Sequence, residues 1–538
     1  MEHNNLIVES NITALAEETI EFYYCKCINF YFLAEASHAQ QRIFLDQLVR
    51  FSDDTALYNV PLIYRVQSDN NIGGISFDRL RRAINSVIVK HVILRTSLHL
   101  DNITGLLTQR IEKFDDLKEQ YKFCVSRFEN GEQMTAILNH EIKSPELFDL
   151  SRGIVLRCHV VIAACNKSFI NETERNTLQL GDILVFNLHH IAFDGASRRI
   201  FFRDLKCAFE NDVPLPLDEN SLQYIDYSVL EGKLDMIPSR DFWRSQLVGF
   251  DFERRLSLPF DRYHSLTENR SGLAHLVEFH FDEDLSNAFL EYASDHGVTP
   301  FQLGLATFYV FLFKLSNNES DLCTSCIHAN RYRAELADLI GMFVATLPHR
   351  IQLDPNVSFD ELVKRVGSQF FSIIEHTYYP LQRILADSDH KQSSAGFLQI
   401  LFDFITYSNE VDLVSISNTQ FESVSLERME NVVKFDLKLL FFYDPAGGKT
   451  ISCSLICSRD VFDLTTVENL ATQFHHILFQ LFAGRKTATS FNDQVREPIS
   501  QLSLILPEKS QVLQRTTFHH LSNIDKQGMN VIRIFCQI

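Results

Sequence analysis

Two adjacent histidines, His189 and His190, close an apolar run in the segment GDILVFNLHHIAFDGASRRIFFRDLKCAFEN (181–211); Asp194-Gly195 follows after three residues, and a helix-like segment starts at once. An imidazole near a carboxylate is the material of general acid–base catalysis, while paired histidines also suggest a metal ligand set. The strand period argues against the metal. Successive strand side chains alternate faces, so Ile183, Val185, Asn187 and His189 share one face and Leu184, Phe186, Leu188 and His190 the other. Two histidines that point apart cannot chelate one ion, and no neighbouring Glu or Cys completes a set. A plainer reading competes with catalysis. Asp194 serves as a helix N-cap, Gly195 as a turn glycine, and Ile200, Phe201, Leu205, Ala208 and Phe209 as a buried helix face. On local grounds alone the plainer reading is the stronger.

The elements around this turn are legible from periodicity. IVLRCHVVIAA and DILVFNL read as strands joined by a polar loop, a hairpin that delivers the two histidines to its end. ISFDRLRRAINSVIVKHVIL (75–94) places Phe77, Leu80, Ile84, Val87, Ile88 and Val92 at near-helical spacing. VTPFQLGLATFYVFLFKL is apolar all round, which predicts a buried helix. Thr299 is its N-cap, Pro300 opens its first turn and Gln302 completes a capping box. Helices and strands alternate to about residue 483, after which EPISQLSLILPEK reads as an extended connector and the tail as unpatterned.

Other tempting motifs fail on spacing. DPAGGKTIS (444–452) ends like a phosphate loop, but Tyr443 stands where that motif needs its first glycine. The flanking strand-like runs make it a Gly-Gly hairpin turn. The pairs His475-His476 and His519-His520 lack the Asp-Gly that follows the first pair, and the former lies on an amphipathic helix. Arg199, Arg203 and Lys206 share one side of the helix after the turn and read as a solvated face.

The bulk numbers bound the rest. At 538 residues the chain has room for two domains or one large two-lobed body. A formal charge of −19 argues against general nucleic-acid binding. Eleven cysteines without zinc-type spacing read as free thiols of a reducing, cytoplasmic compartment. The aromatic run IEFYYCKCINFYFL (20–33) is interrupted by Lys26 and is too short for a membrane span.

HHIAFDG resembles the HHxxxDG signature of condensation domains of nonribosomal peptide synthetases, within the acyltransferase superfamily of chloramphenicol-acetyltransferase-like fold. SHAQQRIFLDQL (37–48) resembles that family's S-x-A-Q-x-R block, and KHVILRTSL (90–98) its R-H-x-x-L-R-T-x-F block. LFDLSRGIVLRCHV (147–160) is similar to P-F-D-L-x-x-G-P-L-L-R. YIDYSVLEG (224–232) with DFWRSQLVG (241–249) is similar to Y-x-D-Y…Y-W-x-x-x-L-x-G, and ANRYRAELADLIGMFVATLPHRIQLD (329–354) to the A-N-R…I-G-x-F-V-N-T-L block. Joint order and spacing over roughly 35–485 make the resemblance specific.

The resemblance implies an α/β (α+β) fold of two chloramphenicol-acetyltransferase-like lobes in a V-shaped pseudo-dimer with a central tunnel. The expected division is 1–34 unassigned, 35–220 the N-terminal lobe, 221–485 the C-terminal lobe, and 486–538 connector and tail. Donor and acceptor carrier proteins, in cis or in trans, would present substrates on phosphopantetheine arms, and the acceptor amine would attack the donor thioester. No cofactor is expected to bind directly. An adjacent adenylation domain is an implied partner, nucleic acid and membrane are not, and a monomer suffices for a single-chain pseudo-dimer. His190 would be the catalytic residue, taking a proton from the amine or aligning it, with His189 a structural member of the motif. Asp194 would pair with Arg95 of ILRTS, and Gly195 would keep the passage open. The sequence departs from the family at Ala345, which replaces a site asparagine, and at HTYYPLQRI (376–384), which keeps chiefly His376, Tyr379 and Pro380. Epimerisation and cyclisation domains fit the motifs less well. A stand-alone acyltransferase with coenzyme-bound donors and a noncatalytic carrier-docking module remain as alternatives. The chain would be a fragment, a truncated product, or a stand-alone domain, since no adenylation or carrier signature follows.

Overall fold

The strand Ile183–His189 is buried along its whole length, so both its faces pack against protein. It lies inside a six-stranded sheet of order Ser415–Ile416, Thr419–Ser423, Asn59–Asp69, Ile183–His189, Leu156–Ala163, Lys122–Phe128. Its neighbours run antiparallel to it, with Asn59 opposite His189 and Leu156 opposite Leu188. The expected pairing of the 156–163 and 183–189 strands is therefore present. The computed structural model describes residues 33–507 apart from 50–56, 70–74, 116–119, 165–174, 219–220, 252–253, 264–269, 388–398, 407–414, 417–418, 425–431, 446–449 and 484–497. The unassigned N-terminal segment before Leu33, the Gly447-Gly448 turn, His519-His520 and the tail after 507 lie outside the described residues.

A second six-stranded sheet has the order Ala274–His280, Thr450–Ser458, Leu437–Asp444, Ile400–Thr406, Asp321–His328, Ala345–Gln352. The 437–444 and 450–458 strands pair antiparallel, as the hairpin reading of DPAGGKTIS requires. Each sheet has its own apolar core. One gathers the helices Phe77–Lys90 and Ser197–Asn211; the other surrounds the helix Pro300–Leu315, whose capping box is formed as expected.

The two cores exchange segments. Strands 415–416 and 419–423 follow four strands of the second sheet in the chain, yet they pair onto Asn59–Asp69 of the first. Leu336, Leu339, Ile340, Met342 and Phe343 likewise belong to the first core. Within the expected connector, residues 498–507 are packed against the second core rather than free. Ile499 is fully buried, and Ser503 exchanges hydrogen bonds with the Gln480 side chain at 2.8 and 3.1 Å.

Buried polar groups hold the end of the histidine strand. Asn187 and Asn59 donate side-chain hydrogen bonds to carbonyls at the end of the helix Gly131–Lys143, to Glu141 at 2.5 Å and Ser144 at 3.0 Å. Glu141 itself is fully buried against Arg157 Nε at 2.8 Å and His159 Nδ1 at 2.6 Å. Burial pushes its carboxyl pKa up, but the His159 and Arg157 contacts outweigh that and hold it below its ordinary value.

Candidate active site

His190 is the first residue past the strand, and its ring is gripped from two sides. Its backbone N–H donates to the Tyr58 carbonyl at 2.8 Å. Its Nδ1 lies 2.8 Å from the Phe193 carbonyl. A carbonyl can only accept, so Nδ1 carries the proton and Nε2 keeps its lone pair. Burial first, and then the Lys434 ammonium, press the pKa down to about 3 against the support of the Phe193 hydrogen bond. The residue as a whole is partly exposed. With no hydrogen-bond partner on Nε2 among the described residues, the neutral imidazole is a hydrogen-bond acceptor at neutral pH. So depressed a pKa makes it a poor place to store a proton, and a good one for aligning a donor.

His189 has the opposite surroundings. It is buried, its Nδ1 accepts from the Ile191 N–H at 3.1 Å, and its Nε2 lies 3.2 Å from Gln47 Oε1. The edge of Phe148 packs on it with centroids 5.5 Å apart. Both ring nitrogens are thus engaged by the protein. Burial, aided by His190 and Lys434, lowers its pKa to about 3 as well.

Asp194 is nearly inaccessible and makes a different ion pair from the expected one. Its partner is Arg331, whose Nη2 stands 2.9 and 3.1 Å from the two carboxylate oxygens. Arg95 instead donates from Nη1 to the Glu112 carbonyl. The expectation failed because Arg95 ends a short helical turn, Val92–Arg95, whose following strand runs beside Leu107–Ile111 and leads the guanidinium to that strand. Asp194 also accepts from Ser197 N–H at 2.9 Å and Ser197 Oγ at 2.8 Å. It steadies the helix start, although the helix proper opens at Ser197 with Ala196 as its N-cap. Gly195 is exposed, and a Cβ added there would meet no atom within 4 Å.

The turn is stitched to the 331–344 loop. Ser197 Oγ lies 3.1 Å from both the N–H and the carbonyl of Gly341, and the Arg331 guanidinium rests 4.2 Å over the Phe343 ring. Tyr224 bonds Ser37 Oγ at 2.7 Å and the Met342 carbonyl, and Arg42 donates to the Val344 carbonyl at 2.8 Å. Four separate sequence blocks therefore meet behind the two histidines. Ala345 opens the strand Ala345–Gln352, opposite His328, and packs beside the Trp243, Leu347 and Tyr379 cluster. His376 belongs to the same region: its carbonyl accepts from Trp243 Nε1 at 3.1 Å. The Arg199 and Arg203 side chains pair with Asp338, and Lys206 with Glu210, as a solvated face would.

Similarity to known proteins coincides with this geometry. The family description Condensation domain matches residues 33–497, most of the chain. The chain belongs to the condensation-domain family. Its expected activity class follows: such domains form amide bonds by acyl transfer. Bacitracin synthase 1 of Bacillus licheniformis is 24% identical over 528 residues, covering 92% of this chain and 9% of that protein. The X-domain solved with OxyB from teicoplanin biosynthesis aligns with a TM-score of 0.70 at 22% identity, over 90% of this chain and 98% of that one. The first condensation domain of the calcium-dependent antibiotic synthetase, solved with a substrate analogue, gives 0.63 at 15% identity, over 88% and 100%. At these identities the likeness to solved structures is one of fold, and it bears out the α/β, chloramphenicol-acetyltransferase-like expectation. This condensation domain spans about a tenth of the length of the curated relatives it matches.

Three residues beside the histidines escaped the sequence reading of this condensation domain: Tyr58, Arg42 and Lys434. Tyr58 packs its ring edge-on to His190 at 6.2 Å and donates its hydroxyl to Asp46. Lys434 sets its Nζ 3.5 Å above the Tyr58 ring. Arg42 is the arginine of the S-x-A-Q-x-R block, while Tyr58 and Lys434 lie outside every motif. Among the described residues, no single helix is long and apolar enough to cross a membrane.

Proposed function

We propose that this chain joins an acyl or peptidyl thioester, presented on the phosphopantetheine arm of a donor carrier protein, to the amine of a carrier-bound acceptor. His190 is the residue we place at the reacting atoms. The observation that carries this reading is its tautomer: Phe193 holds the proton on Nδ1 and leaves Nε2 as acceptor.

In the reaction the amine nitrogen bonds to the thioester carbon, and the C–S bond then breaks. The amine's surplus proton passes by way of Nε2 to the leaving sulfur, so the ring ends as it began. An α-amino group has a pKa of ~7.7–8.0, so about a quarter to two-fifths is already neutral near pH 7.5. Aligning that amine accounts for more of the rate than deprotonating it beforehand. Asp194, bound to Arg331 and Ser197, fixes the turn that carries the ring. Gly195 is consistent with the same reading, because a Cβ there would meet no described atom within 4 Å and would project into the space we assign to the incoming substrate. Adenylation and carrier partners, in cis or in trans, fit the multidomain relatives.

Single-turnover amide formation by purified His190→Ala tests this. The variant should fold like wild type and lose about 10²–10⁴-fold in rate; a fully active variant would end the proposal. Ala345, in place of the family's asparagine, favours one rival, a module that recruits proteins without chemistry. The X-domain from teicoplanin biosynthesis, solved as a complex with OxyB, is a relative by fold that assembles with another protein. Carrier binding without any single-turnover product from the wild-type chain would decide for that rival.

A further inference from the structure

A distant part of the chain brings a cation to His190. Lys434 lies in the segment that leads into the strand Leu437–Asp444 of the second sheet. That segment is firmly held. Val433 N–H donates to the Gly272 carbonyl at 2.8 Å, Val432 bridges to Leu273, and buried Asp436 pairs with Arg270 at 2.8 Å. Gly272 has a positive φ of 71°, and an added Cβ would stand 2.9 Å from Leu57. The close approach at Gly272 therefore brings the 432–436 segment against Leu57-Tyr58. Lys434 reaches the face of Tyr58, whose carbonyl holds His190 in place.

We propose that Lys434 sets the charge state of the reaction site: its ammonium, seated on Tyr58 beside His190, disfavours further positive charge there and so holds the arriving acceptor amine in its neutral, nucleophilic form. The idea rests on the placement of His190 at the reacting atoms given above. Among the described residues, the following groups lie near that imidazole. His189 adjoins it, and Tyr58 with Asp46 packs on its edge. Arg42 approaches from the helix His38–Val49 but spends a hydrogen bond on Val344, and Asp194 is matched by Arg331 on the other side of the turn. Of the cations acting on the ring, Lys434 acts more strongly than Arg42. The aromatic face stabilises the ammonium through the ring quadrupole. An incoming ammonium would add to this like charge, whereas a neutral amine would not, and the negative oxygen formed on attack is favoured.

The test compares Lys434→Gln and Lys434→Arg in the full chain, reading the pH profile of single-turnover amide formation. Two acceptors are used: an α-aminoacyl carrier, and a hydrazide whose amine is neutral at every pH tested. With the α-amine, Lys434→Gln should be about tenfold slower at pH 6.5, equivalent to one unit in amine pKa, and approach wild type near pH 9. Lys434→Arg should restore the wild-type acid limb, and with the hydrazide the Gln defect should not vary with pH. An unchanged acid limb in Lys434→Gln overturns the proposal. So does a defect of equal size for both acceptors at all pH values, which would mark lost packing. His190→Ala, run beside them, separates the two ideas: its inactivity with an unshifted Lys434→Gln limb removes only the role of Lys434, and its full activity removes the reaction-site reading itself.

Discussion

Arg331 and Asp194 lie 137 residues apart in sequence, yet they form a buried ion pair, one guanidinium nitrogen meeting both carboxylate oxygens at 2.9 and 3.1 Å. The side chains are 9% and 1% exposed. A buried pair adds little net stability, but removing one partner strands the other charge. Asp194→Ala should therefore cost about 3–5 kcal/mol, measured by denaturant unfolding. Arg95→Ala, which loses a hydrogen bond to one carbonyl, should cost only about 1 kcal/mol. Comparable losses would contradict the assignment of Arg331 as the partner.

Gly195 separates folding from passage. A methyl there meets open space within the protein, so Gly195→Ala should unfold at the wild-type denaturant midpoint. Amide formation with carrier-bound substrates should nevertheless fall at least tenfold, an order-of-magnitude expectation for a misplaced near-attack geometry. An unaffected rate would remove Gly195 from the site.

Gly341 presents the reverse case. A Cβ there would lie 2.0 Å from the Tyr224 ring, and both residues are buried. Tyr224 cannot retreat without giving up its contacts to Ser37 and Met342. Gly341→Ala should destabilise by about 1–3 kcal/mol or more. Tyr224→Leu in the same chain should recover part of that loss, which a double-mutant cycle measures.

Stability should also carry a pH signature from Glu231. Burial pushes its carboxyl up to about 7, against hydrogen bonds from His38 N–H and the Tyr227 hydroxyl. Between its ordinary value of 4.5 and about 7, the folded protein holds a proton that the unfolded chain releases. Stability from this group is thus complete below about pH 4.5 and falls as pH rises through 7, by up to about 3 kcal/mol. Glu231→Gln should flatten that part of the pH–stability curve. An unchanged slope in chemical denaturation at pH 5 and pH 8 would refute it.

Periodicity and short motifs by themselves determine much of this chain. The helix Phe77–Lys90 follows from its apolar spacing, Pro300–Leu315 from its capping box and unbroken apolar surface, and the 156–163 and 183–189 strands from their apolar runs. The motif order placed the chain in its family and marked the His-His turn. These signals are local, because a helix or strand repeats its burial pattern within a few residues. The partner of Asp194 is not local information. Arg95 and Arg331 are chemically equivalent in sequence, and only packing of the 331–344 loop into the first core chooses between them. The same holds for the strands Ser415–Ile416 and Thr419–Ser423, which complete a sheet begun some 350 residues earlier, for the fit of Gly341 under Tyr224, and for Lys434. No motif sets its ammonium over Tyr58. That contact exists because a glycine lets two segments approach, and distance in space, unlike spacing along the chain, is decided only when the cores close.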